Sequence, residues 1–232
     1  MKTLCSFILF ISCALSLSAQ TDTSYDLNVG EFSELRVSDG INVDYTSDPD
    51  KAGRAFFNCP AQQASSFMFT NKGGRLTIQL SPEIIGARNL PTITVHSKHL
   101  TKVENTSDST VRVLSLNGLP KLEARLEGNG HLIVRGIDAT EVKGTLRLGH
   151  GTLILTGKCK EAKLNLTGTG VIQADELVAE EATVNAKGTG SVGVNAVSAL
   201  GVYGMGSTSV YYIGSPEIKN RSVGLKLMPL SK

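Results

Sequence analysis

Ala162-Lys163-Leu164-Asn165-Leu166-Thr167-Gly168-Thr169-Gly170-Val171-Ile172 is followed, twenty residues on, by Ala182-Thr183-Val184-Asn185-Ala186-Lys187-Gly188-Thr189-Gly190-Ser191-Val192. Both segments keep alternating apolar positions, one asparagine and a Gly-Thr-Gly. The Gly-x-Gly recurs as Gly128-Asn129-Gly130, Gly149-His150-Gly151, Gly168-Thr169-Gly170, Gly188-Thr189-Gly190 and Gly204-Met205-Gly206, at steps of 21, 19, 20 and 16 residues. One step earlier Ser107-Asp108-Ser109 occupies the same place. These ten glycines read as structural corners, where positive φ lets the chain turn sharply between strands.

The flanks support this register. Two residues after the second glycine (or Ser109) stand Val111, Leu132, Leu153, Ile172 and Val192, with Thr208 as the exception. Four residues after it stand Val113, Val134, Leu155, Ala174, Val194 and Val210. Residues two apart on a strand share a face, so these files predict one buried side. Before the glycines the pairs Ala124/Leu126, Leu164/Leu166, Val184/Ala186 and Leu200/Val202 repeat the alternation. In the Gly149 turn Leu146/Leu148 stands one residue out of phase, as a deletion before the glycine would leave it. Leu116, Ile137, Leu177, Val197 and Ile213 suggest a short third strand, with Lys158 breaking the file.

Short strands repeated in phase about every twenty residues predict an all-β chain, a single-stranded parallel β-helix. Each rung supplies its neighbour with hydrogen-bond partners and a continuous core. A right-handed coil is expected from the chirality of parallel connections. An antiparallel sandwich would not need the same apolar files to recur in phase. Asn165 should stack on Asn185, and Thr169 on Thr189.

The regular rungs cover 101–214 within a domain of 31–228. Residues 31–100 form an irregular strand-rich part that starts or caps the coil, and 215–228 form a closing strand or cap. Candidate front strands are Phe32–Val37, Ile41–Tyr45, Ala55–Asn58, Phe67–Thr70, Leu76–Leu80 and Thr92–His96. Ser38-Asp39-Gly40 reads as a hairpin turn and Asn71-Lys72-Gly73-Gly74 as another. Residues 1–19 read as a signal peptide, with Lys2, an apolar run from Leu4 to Leu17 and a small residue, Ala19, at the cut. Residues 20–30 then form an N-terminal tail. Lipidation at Cys13 is a weaker alternative. No other apolar run approaches the ~18 residues of a spanning helix, so export to the periplasm or cell surface is expected.

The sequence has 23 Lys+Arg against 21 Asp+Glu, no tryptophan and 5% aromatics. That balance argues against nucleic-acid partners. Without its leader the chain keeps Cys59 and Cys159, for which a bridge is permitted after export. Paired-cysteine zinc spacing is missing.

The segment Val37-Ser38-Asp39-Gly40-Ile41-Asn42-Val43, the Gly-x-Gly rungs and the closing Val210-Tyr211-Tyr212-Ile213-Gly214-Ser215-Pro216 resemble the putative auto-transporter adhesin, head GIN domain family. Gly40-Ile41-Asn42 matches the triplet in its name, and the likeness covers roughly residues 30–225. It implies an exported bacterial β-helical protein of adhesin type and carries over no catalytic residues. Met205 and Thr208 depart from the family's commoner closing motif of small residues and an Asp.

Three function classes follow. The first is a non-enzymatic adhesin presenting an extended face to a surface glycan or protein, with Tyr211 and Tyr212 as candidate binding residues and no cofactor or metal. The second is a polysaccharide-active β-helix using Glu141, Glu161 and Glu181, which stacking would bring together. The third is a cell-envelope scaffold assembling end to end. His131 and His150 near one corner, and calcium at the acidic column, are weaker candidate metal sites.

Overall fold

The computed structural model of the chain describes residues 22–84 and 89–230; the expected leader lies outside them. Leucine and β-branched residues alternating with polar ones produce seventeen strands joined in one hydrogen-bonded sheet that winds on itself. The front contributes β1 (Thr23–Asn28), β2 (Glu34–Val37), β3 (Val43–Ser47), β4 (Arg54–Cys59), β5 (Phe67–Lys72), β6 (Arg75–Leu80) and β7 (Ile93–Ser97). The coil continues through β8 (Lys102–Asn105), β9 (Thr110–Ser115) and β10 (Leu119–Glu127). Three long bent strands follow, β11 (His131–Arg147), β12 (Thr152–Gly168) and β13 (Val171–Gly188), then β14 (Ser191–Gly206). The end is built by β15 (Ser209–Ile213), β16 (Glu217–Val223) and β17 (Lys226–Pro229).

From β8 onward every pairing is parallel. Glu141 lies beside Glu161, and Glu161 beside Glu181. The expected file is present: Val111, Leu132, Leu153, Ile172 and Val192 are successive partners, all fully buried. A sandwich, whose neighbouring strands are antiparallel, is thereby excluded.

At the Gly168-Thr169-Gly170 corner the two glycines have different tasks. Gly168 has φ +126°, an angle that L side chains rarely adopt, yet a Cβ there would meet nothing closer than 3.6 Å. Gly170 has an ordinary φ, but a Cβ would lie 2.6 Å from the Gly151 carbonyl oxygen and 2.7 Å from Leu146 Cδ2. At this corner the first glycine serves the turn and the second the contact between rungs, whereas Gly149 and Gly188 serve both, with positive φ and a Cβ position 2.5 and 2.0 Å from the preceding rung's carbonyl oxygen. The residue between them ties corner to corner: Asn129 N–H donates to Asp108 Oδ1 (3.1 Å), His150 N–H to Asn129 Oδ1 (3.0 Å) and Thr169 Oγ1 to the Gly149 carbonyl (3.0 Å).

Three expected registers are corrected. In the last repeat Gly206, not Gly204, pairs with Gly188, and Ser209 pairs with Ser191. Thr208 therefore stands in the second-glycine file, Val210 beside Val192, and Leu200/Val202 beside Ala182/Val184. In the Gly149 turn the inward pair is Gly144/Leu146, in register with Ala124/Leu126 and Leu164/Leu166. Leu148 is an insertion in the bend, at φ +57° and 61% exposed. Gly157, not Lys158, fills the short third file between Ile137 and Leu177, and Val197 points outward at 56% exposure.

The front third has an order its sequence does not suggest. β2 pairs with both β6 and β8, and β3 with both β7 and β9, all parallel. The first rung along the chain is thus inserted between the β6–β7 and β8–β9 rungs. Asp39-Gly40 has both φ values positive but joins strands that do not pair with each other. It is a corner rather than the expected hairpin. The Gly73-Gly74 turn does close a hairpin, with Lys72 opposite Arg75. The front edge is covered by antiparallel strands, β5 on β6, β4 on β7 and β1 on β4. β1 lies within the stretch expected to be a tail. At the other end β16 and β17, on either side of Gly224, lay a final rung on β14 and β15.

Candidate functional site on the outer face

The face formed by β10–β14 and β16 carries its outward side chains in fixed files. One file runs Lys121, Glu141, Glu161, Glu181, Ala199, Glu217, and the next runs Glu123, Lys143, Lys163, Thr183, Gly201, Lys219. In-register neighbours stand about 4.8 Å apart, close enough for ion pairs between rungs. Lys121 Nζ lies 3.2 Å from Glu141, Lys143 Nζ 3.3 Å from Glu123, and Lys163 Nζ 3.0 Å from Glu161 and 3.7 Å from Glu141. Such exposed pairs contribute little stability, at most about 1 kcal/mol each. The spacing of the files is set by the parallel register.

The stacking of Glu141, Glu161 and Glu181 follows the sequence expectation, and their electrostatics bear on hydrolysis. A glycosidase acid needs a raised pKa. The hydrogen bond from Lys121, reinforced by Lys163, holds the Glu141 carboxyl below the usual carboxylate range. That is the state of an ion-pair ladder.

The other candidates are dispersed. His131 pairs with Thr152, whereas His150 stands over Asn129 in the corner ladder, so the two do not form a stacked pair. Among the described residues no group of three or more His, Cys, Asp and Glu could hold a metal ion. Cys59 on β4 and Cys159 on β12 are free and buried. They sit five strand steps apart, roughly 24 Å along the stack, against the ~7 Å limit for a disulfide. Burial, with the Glu161 charge adding to it, pushes the Cys159 thiol up to about 11. Tyr212, beside Val194, packs against the core, whereas Tyr211 pairs with Gly193 and Met228 at the preceding, outward position. The Gly40-Ile41-Asn42 triplet is structural: Ile41 is fully buried, Asn42 Oδ1 accepts from Thr110 N–H (2.9 Å), and the Asn42 carbonyl accepts from Ile93 N–H (3.0 Å). It fastens the inserted rung to both of its neighbours.

One feature of this face is not apparent from the sequence repeats. At β14 the charged files are interrupted by Ala199 and Gly201, and the Tyr203 ring folds back over Gly201. A Cβ on Gly201 would come within 2.8 Å of Tyr203 Cε2, so only glycine leaves room for this placement. The outcome is a notch of about 250 Å³ between Glu181 on one side and Glu217 and Lys219 on the other. Its sequence signal was the small residues at 199 and 201, hidden by the two-residue misregister of the last repeat.

The family described as "Putative auto-transporter adhesin, head GIN domain" matches residues 31–216. No curated protein matches the chain significantly. Among solved structures, a putative adhesin from Bacteroides fragilis NCTC 9343 is similar with a TM-score of 0.81 at 20% identity, covering 91% of this chain and 97% of that one. A putative lipid binding protein from Parabacteroides distasonis ATCC 8503 has a TM-score of 0.71 at 18% identity, covering 92% and 98%. A putative adhesin from Parabacteroides merdae ATCC 43184 has a TM-score of 0.67 at 16% identity, covering 92% and 98%. At these identities the structural likeness establishes the fold.

Proposed function

The chain belongs to the putative auto-transporter adhesin, head GIN domain family, and from that premise we propose that it is an exported, non-enzymatic surface protein that holds an extended face toward a glycan or protein partner. The observation that carries this reading is the outer face from Lys121 to Glu217. Its side chains are set at fixed intervals by parallel register, which suits recognition of an extended partner. Among the described residues no helix is long and apolar enough to cross a membrane, in keeping with a protein passed through one. Export rests on the leader reading of residues 1–19.

The lysine-neutralised Glu141 supports binding over hydrolysis. The C-terminal end argues against a polymerising scaffold. β16 presents Lys219 and Arg221, and β17 presents Lys226 and Pro229, all devices that discourage edge pairing with another chain. The test is to present purified protein to immobilised glycans and host surface proteins, alongside protease shaving of intact cells. Saturable binding and loss of the protein on shaving are expected. No binding to either class, or release of reducing ends that Glu161→Gln abolishes, would overturn the reading.

A further inference from the structure

We propose that the notch over Ala199 and Gly201 is a saccharide subsite that takes one neutral or amino-sugar pyranose unit; this rests on the adhesin reading and gives it a partner class. Four observations converge. The floor carries nothing of its own beyond the Ala199 methyl, because Ala199 stands where the preceding rung carries Glu181 and Gly201 leaves its place to the Tyr203 ring. Glu181 and Glu217 both pair with Ala199, from opposite sides. Two strand steps therefore separate them, roughly 9–10 Å between backbones, enough for one ring to enter between the carboxylates.

The Tyr203 ring, laid along the strand over Gly201, supplies an aromatic surface with a hydroxyl at its edge. That pairs an apolar platform with a polar handle, as the C–H face and hydroxyl rim of a pyranose require. Finally, the wall groups are uncommitted. Elsewhere on this face Glu123, Glu141 and Glu161 bind lysines, but among the described residues Glu181, Glu217 and Lys219 form no ion pair or side-chain hydrogen bond.

Charge sets the specificity. Two free carboxylates against one lysine give the notch a net negative wall. Sugar hydroxyls and a sugar ammonium can donate to it, whereas uronic or sialic acids meet like charge. The site thus excludes the acidic polysaccharides that the enzyme reading would require.

The test uses the protein, its Tyr203→Ala and Ala199→Gln variants, and Gln173→Ala, at an exposed outward position of β13 away from the notch, as a control. Each is titrated against immobilised oligosaccharides ending in neutral, amino or acidic sugars, with thermal unfolding measured in parallel. The proposal expects binding to neutral or amino termini over acidic ones. Tyr203→Ala and Ala199→Gln should each weaken it about tenfold or more, while Gln173→Ala binds normally and all variants unfold like the parent. Glycan binding retained by both notch variants, or a preference for acidic termini, would overturn the subsite and leave the adhesin reading standing. Binding to surface proteins but to no glycan would do the same. No binding to either class would remove both.

Discussion

Gly170→Ala isolates the contact between rungs from backbone strain. Gly170 has an ordinary φ, so alanine is conformationally acceptable there, but its Cβ would lie 2.6 Å from the Gly151 carbonyl oxygen. Ordinary contact begins near 3.4 Å, so rungs must separate locally by about 0.8 Å. The Val171 N–H to Gly151 carbonyl bond, now 3.0 Å, sits at the point of separation. Its weakening costs about 1 kcal/mol. Leu146, whose Cδ atoms would lie 2.7 and 2.8 Å away, must leave its rotamer, for about 0.5–1.5 kcal/mol more. With residual overpacking the total is about 2–4 kcal/mol, or a fall in Tm of roughly 5–15 °C at this chain length. Gly118→Ala is the control: it too has an ordinary φ, but its nearest atom is 3.8 Å away. It should be neutral or stabilising by up to ~1 kcal/mol. Circular dichroism melts of both variants decide the matter. Equal Tm values for the two would refute the close-contact explanation of the second glycine.

Burial holds the His96 imidazole below its ordinary pKa. The unfolded state therefore binds a proton first as pH falls through ~6.5, and stability should drop from that point until the lower folded pKa is passed. Guanidinium melts at pH 7 and 5 should show this loss in the parent and a smaller one in His96→Gln. Thr208 is fully buried with its Oγ1 unpartnered. Thr208→Val removes an unpaired hydroxyl and should leave Tm unchanged or raise it, by up to ~1 kcal/mol of stability; a clear fall would show that the hydroxyl has a partner. With its thiol pushed up to about 11, Cys159 should be about one part in a thousand thiolate at pH 8. A thiol reagent should label neither cysteine rapidly until denaturant is added, and fast labelling of the folded protein would contradict their burial.

The central coil was legible because period-two alternation recurs in phase. Leu132, Leu153 and Ile172 could be placed in one file from spacing alone. Legibility failed where a local motif imitated the repeat. Gly204-Met205-Gly206 looks like a corner, yet only Gly206 meets a corner partner, because the preceding rung is two residues shorter. Leu148 looks like a core residue beside Leu146, yet it is an exposed insertion in the bend. The insertion of β2–β3 between later rungs leaves no local trace, since which rung stacks on which depends on pairing across dozens of residues. Tyr203 is inconspicuous in the sequence for a related reason: its placement depends on the absence of a side chain on Gly201, which only the alignment of the files exposes.

The most direct test of the parallel coil is a pair of cross-links that share an offset. Thr152 pairs with Val171 and Ile154 with Gln173, outward on neighbouring rungs. In a parallel ladder the doubles Thr152→Cys/Val171→Cys and Ile154→Cys/Gln173→Cys should both form intramolecular disulfides under mild oxidation, because partners keep a constant difference and lie within bridging distance. Antiparallel neighbours keep a constant sum instead. A disulfide in Ile154→Cys/Thr169→Cys with none in Ile154→Cys/Gln173→Cys would contradict the coil, and with it the extended face on which the proposed function depends.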